Sequence, residues 1–88
     1  MPKIDIPPHF ILLYQALPAS IRKKVDKTIA LLAENPRHPS LQTKPIRGTN
    51  GIYEARVDLD YRLTYERLSG DTLLLRAVGR HDETIKNP

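Results

Sequence analysis

Between Gly51 and Glu83 the chain alternates apolar and polar residues in three runs, GIYEARVD, YRLTYERL and TLLLRAVG, with a turn signal between each pair. A period of two is the pattern of a strand with one buried and one open face. β-branched and aromatic residues (Ile52, Tyr53, Val57, Tyr61, Thr64, Tyr65, Thr72, Val78) favour the same conformation. The pattern predicts strands near 51–58, 61–68 and 72–79. Upstream, Lys3-Ile4-Asp5-Ile6 alternates briefly and reads as an edge strand. Pro7-Pro8 closes that run and opens a helix in which Phe10, Leu13 and Leu17 recur at helical spacing. A second helix starts at Pro18-Ala19-Ser20 and runs to about Glu34, with Ile21, Val25, Ile29 and Leu32 as its apolar stripe and Asn35-Pro36 as its stop. Arg37 to Asn50 is rich in turn formers and reads as an irregular surface connector. The predicted fold is α+β: two N-terminal helices packed on one face of a small, mainly antiparallel four-stranded sheet, in the order β-α-α-β-β-β, as a single domain over 1–88.

Parity sorts the side chains of that sheet. Tyr53, Ala55, Val57, Tyr61, Leu63, Tyr65, Leu73, Leu75 and Ala77 fall on an apolar face. Glu54, Arg56, Arg62, Thr64, Glu66, Arg76 and Val78 fall on the other. A three-residue loop at Ser69-Gly70-Asp71 sets Glu66 opposite Leu74, Thr64 opposite Arg76 and Arg62 opposite Val78. Across the earlier turn only an even pairing sum preserves the two faces, so Arg56 lies opposite Arg62 or Thr64. Arg56, Arg62 and Arg76 are therefore expected to converge on the open face, near Gly79-Arg80-His81-Asp82-Glu83. Like charges across strands repel unless acids interleave or a polyanion neutralises them. Both solutions are open here, because Glu54 and Glu66 share the face.

Composition narrows the classes. The chain has 88 residues, 40% hydrophobic and 27% charged, which suits one small core. It has no cysteine, hence no disulfide framework and no thiolate metal site. His38 and His81 are far apart in sequence and make no metal pair, and His9 reads as a surface residue. Neither a metal nor a cofactor is expected. No apolar run approaches the roughly 20 residues of a membrane span, and the N-terminus lacks the apolar core of a secretory signal. A cytoplasmic protein without a membrane partner is the expectation. The net charge of +4 suits an anionic partner, nucleic acid or acidic protein. The basic run Arg22, Lys23, Lys24, Lys27 suits a solvated helix face first and nucleic-acid contact second.

The order of elements resembles the RelE/ParE toxin superfamily of bacterial and archaeal toxin–antitoxin systems. The residues that carry the resemblance are Asn35-Pro36, Lys44-Pro45-Ile46-Arg47-Gly48, Gly51-Ile52-Tyr53, Tyr61-Arg62-Leu63-Thr64-Tyr65 and Val78-Gly79-Arg80-His81-Asp82-Glu83. The resemblance implies a small toxin neutralised by a cognate antitoxin. RelE-like members cleave mRNA in the ribosomal A site, the ribose 2′-hydroxyl attacking the neighbouring phosphate to leave a 2′,3′-cyclic phosphate. ParE-like members poison DNA gyrase on the same fold. The first chemistry needs a base, cations for the phosphorane and an acid for the leaving oxygen.

Carried over onto this sequence, the resemblance makes Arg62 a phosphate-contacting arginine, Arg56 a second catalytic cation, and His81 the acid–base residue of the YafQ-like branch. Arg80, Arg76, Lys44 and Arg47 are the implied substrate-binding residues, with Glu54 and Asp82 as possible supporting acids. Read from the residues alone, His81 equally suits a strand-end side chain bonded to the backbone. Two positions depart from the family's pattern: Glu54 stands where RelE has a lysine, and Ile85 where many RNase members carry an aromatic ring. A basic interaction module without toxicity is the further alternative.

Overall fold

The computed structural model describes residues 1–88. Strand β1 (Lys3–Asp5) leads through Pro7 into helix α1 (Pro8–Gln15), where a proline in the first turn gives up no intrahelical hydrogen bond. Helix α2 (Ala19–Glu34) buries Val25, Thr28 and Leu32 along one stripe, and Thr28 returns its hydroxyl to the Lys24 carbonyl oxygen at 3.0 Å. After a 3-10 turn at Pro39–Leu41 come β2 (Lys44–Pro45), β3 (Ile52–Arg56), β4 (Tyr61–Leu68), β5 (Thr72–Arg80) and helix α3 (His81–Lys86).

The sheet has five strands, in the order β1-β5-β4-β3-β2, and it is mixed, because β1 runs parallel to β5. The expected four-stranded sheet with two helices is thus corrected by one strand and one helix. Strand β2 is two exposed residues, one of them proline, paired as Lys44 with Glu54 and Pro45 with Tyr53. Such a segment is too short to show a period. Helix α3 spans six residues, also below the length at which a stripe can be read, although Asp82 and Glu83 in its first turn and Lys86 in its last match the helix dipole.

Phe10, Val25, Leu32, Leu41, Ala55, Leu63, Tyr65, Leu75 and Val78 form the core where the first two helices meet the sheet. The Tyr53 and Tyr65 rings stack within it at 5.8 Å between centroids, with 19° between planes. Strands β3 and β4 pair as parity requires, Arg56 directly opposite Arg62.

Between β4 and β5 the expected register holds from Leu68↔Thr72 to Tyr65↔Leu75 and then shifts by one. Arg76 is left unpaired as a β-bulge, so that Thr64 faces Ala77 and Arg62 faces Gly79, not the expected Arg76 and Val78. A bulge adds one residue to one strand and increases its local bend and twist. Here it also reverses the parity beyond it. Val78 enters the core, and Ala77 turns to the side of Thr64 and Arg62.

That side is only half open. A Cβ on Gly79 would meet the Thr84 hydroxyl oxygen at 3.1 Å, which places α3 on the face of Gly79 and its partner Arg62. Thr64, Ala77 and Thr84 are all buried at this contact. The β2–β3 half of the face, with the adjoining end of β4, lies outside this contact and can be reached by a ligand.

Candidate nucleic-acid interface and acid–base site

Strand pairing sets Lys44, Glu54, Arg56 and Arg62 across β2, β3 and β4 on the accessible half-face. Glu54 is 5% exposed, and its Oε1 lies 3.6 Å from Lys44 Nζ and 3.8 Å from Arg62 Nε. Both distances exceed those of a charge-assisted hydrogen bond. The carboxylate therefore neutralises two cations without fixing either tightly. A buried carboxylate is tolerated when it is paired in this way.

Arg62 is mostly buried and anchors the β3–β4 turn. Its Nη1 donates to the carbonyl oxygens of Asp58 at 2.6 Å, Tyr61 at 3.0 Å and Leu59 at 3.3 Å. Arg56 leaves in another direction, donating from Nη1 to Gln42 Oε1 at 3.1 Å. Gln42 is held in left-handed backbone at φ 45°, just after the 3-10 turn.

The β3–β4 turn is organised by Asp58. Its Oδ1 accepts the backbone N–H of Asp60 and of Tyr61, both at 2.9 Å, and its Oδ2 meets Lys24 Nζ of α2 at 3.0 Å. Burial raises the Asp58 pKa, but the hydrogen bond from Lys24 and those from the two amides outweigh it, and the carboxyl titrates below its ordinary range. The sequence signal for this turn was an Asp two residues before another Asp, the pattern of a side chain that bonds its own backbone two residues on. Strand parity alone puts Asp58 on the open face of the sheet instead.

His81 begins α3. Its backbone N–H donates to the Asp60 carbonyl oxygen at 2.8 Å, and its Nδ1 lies 3.2 Å from Asp82 Oδ1. The imidazole is 44% exposed, enough for a ligand to reach it. Arg80, one residue earlier, sets its guanidinium carbon 5.5 Å from the centre of the Tyr61 ring. The turn thus joins the two groups: Arg62 holds its carbonyls from one side, and His81 is bonded to it from the other.

The expected convergence of three arginines is corrected. Arg76 donates to Glu66 Oε1 at 2.9 Å and to the Pro88 carbonyl oxygen at 3.3 Å, so it ties down the chain beyond α3. It sits at the bulge and is bonded to Glu66, four residues along β4 from Arg62. Arg47 is exposed in the turn after β2, and Ile85 is half-buried on α3. No group of three or more His, Cys, Asp or Glu side chains is placed to hold a metal ion, and no helix is long and apolar enough to cross a membrane.

The structure is similar to a protein in the intact RelBE toxin–antitoxin complex of E. coli, at a TM-score of 0.72 and 20% identity over 91% of this chain and 96% of that one. It is similar to one in the RelB–RelE antitoxin–toxin complex of Methanococcus jannaschii, at 0.74 and 23% over 96% and 99%. It is likewise similar to YafQ from E. coli, at 0.74 and 21% over 96% and 98%. Identities this low show a shared fold. No protein of curated function matches by sequence. A family model described as the ParE toxin of the parDE type II toxin–antitoxin system matches residues 5–85. That match spans nearly the whole chain, so the protein belongs to the ParE toxin family of type II toxin–antitoxin systems, within the RelE/ParE superfamily.

Proposed function

We propose that this toxin is a ribosome-dependent mRNA endoribonuclease that leaves 2′,3′-cyclic phosphate ends, acts in the cytoplasm as a single domain, and is neutralised by a cognate antitoxin. The observation that carries this reading is His81, half-exposed, oriented by Asp82 and fixed through its backbone to the turn that Arg62 holds. With Nδ1–H given to Asp82, Nε2 has a lone pair for the ribose 2′-hydroxyl; once protonated, it can return the proton to the leaving oxygen. Arg62 keeps Nη2 for a phosphate oxygen, while Arg56 and Lys44 supply further positive charge as the phosphorane forms. Glu54 moderates the repulsion among these cations when no RNA is bound. RelE and YafQ share the fold, and RelE is seen with RelB, which supports the antitoxin as partner.

The test is induced expression followed by mapping of mRNA 5′ ends, with and without His81→Ala. New in-frame ends that vanish in the variant are the expected result. A second reading, inhibition of DNA gyrase, is favoured by the match to the ParE family model. It requires no acid–base residue. Growth arrest with intact mRNA and a DNA-damage response would favour it over RNA cleavage.

A further inference from the structure

Leu59 stands at the tip of the β3–β4 turn with 73% of its surface exposed. Scattered apolar residues on a surface are ordinary, but this one is held in place. The backbone on either side of it is fixed by the two amide bonds to Asp58, the three carbonyl bonds from Arg62 and the Lys24–Asp58 ion pair. Leu59 adds nothing to the core, so its burial does not explain why the tip is ordered. Together with Asp60, Arg80, His81 and Asp82 it lines a cleft of about 230 Å³ between this turn and the start of α3.

We propose that this cleft seats one nucleobase of the RNA substrate, next to the cleaved phosphate, with Leu59 as its apolar wall and a determinant of which base is accepted. The inference rests on the nuclease reading and names a part of its substrate. Charge decides between base and phosphate. Asp60 and Asp82 line the cleft with Arg80, so with His81 neutral the lining carries net negative charge and repels a phosphate, which the basic half-face attracts instead. A base presents an apolar face to Leu59 and a π-face to the guanidinium that Tyr61 supports. The carboxylates accept hydrogen bonds from exocyclic amines, which favours adenine, cytosine or guanine over uracil.

The experiment titrates the full chain with uncleavable 2′-O-methyl RNA trinucleotides carrying A, C or U at the central position. The Leu59 methyl resonances are followed by NMR, and 5′ ends are mapped for wild type and Leu59→Ser. An upfield ring-current shift of the methyls is expected, larger for A and C than for U. Leu59→Ser, at an exposed site, keeps the wild-type melting temperature, binds roughly fivefold more weakly, and loses base preference at the cut. Methyls that stay still while Arg62 and His81 resonances move, or a Leu59→Ser cleavage pattern identical to wild type, overturn the inference. A wild-type chain that leaves mRNA intact overturns the nuclease reading; if the methyls still shift, the base cleft stands on its own.

Discussion

Arg56 and Arg62 face each other directly across β3 and β4, yet each guanidinium is bonded elsewhere, one to Gln42 and the other to three carbonyls of the following turn. Cross-strand like charges cost stability when both remain where their Cβ atoms point. Here the side chains diverge, and Glu54 sits beside one of them. Arg62 is consequently a structural residue as well as the phosphate cation of the proposed nuclease.

His81→Ala and Arg62→Ala therefore separate. Both are expected to abolish growth arrest. Arg62→Ala also leaves the Asp58 and Leu59 carbonyls without their donor, while that of Tyr61 keeps the backbone N–H groups of Val57 and Asp58, and should cost about 1–3 kcal/mol. His81 is anchored through its backbone N–H, which alanine keeps, so His81→Ala should stay within about 0.5 kcal/mol of wild type. Urea unfolding of the purified variants measures both.

Asp58 gives the turn an acid limit. Its carboxyl titrates below its ordinary value of 3.8 in the folded chain, so as pH falls the unfolded chain takes up the proton first. The stabilisation is complete above that ordinary value and is lost as pH falls through the folded-state pKa. Melting temperature followed from neutral pH into this acid range should drop more steeply for wild type than for Asp58→Asn, which is already weakened at neutrality.

Tyr65 is fully buried, and its hydroxyl has no hydrogen-bond partner. Thr43 and Arg67 are close enough to favour its ionisation without meeting it in hydrogen-bond geometry, and burial prevails, raising the phenol pKa. Tyr65→Phe keeps the ring stack on Tyr53 and removes the stranded group. It should raise stability by about 1 kcal/mol, read as a higher urea midpoint with an unchanged slope.

Arg76 fastens α3 through its bonds to Pro88 and Glu66. Arg76→Ala should speed hydrogen exchange at the amides of 81–87 and leave those of β4 protected. Exchange that is unchanged at 81–87 would show that packing of Thr84 on Gly79 holds the helix unaided.

The strand at 61–68 was legible to the residue, because Tyr61, Leu63 and Tyr65 alternate without interruption between two clear turns. Parity narrowed the partner of Arg56 to Arg62 or Thr64, and the structure selects Arg62. What parity could not reveal is the bulge at Arg76, because Ala77 and Val78 are both apolar and either can serve as the buried one. That single ambiguity hid the docking of α3 and the departure of Arg76 from the arginine cluster. Long side chains obscured the rest of the site. A strand pattern fixes where a guanidinium begins, whereas the carbonyl or amide it reaches depends on a turn or connector with no period to read.

The parallel pairing of Lys3, Ile4 and Asp5 with Thr72, Leu73 and Leu74 has a consequence for the birth of the protein. The first strand to leave the ribosome has no neighbour until the last has been made. Pairing across so long a separation in sequence delays folding relative to local contacts. During translation the chain therefore passes through lengths at which the arginines are present and the sheet that arranges them is incomplete. The face that carries the arginines is therefore arranged only once β5 has been made, and that delay is an interval in which an antitoxin already present has time to meet the toxin.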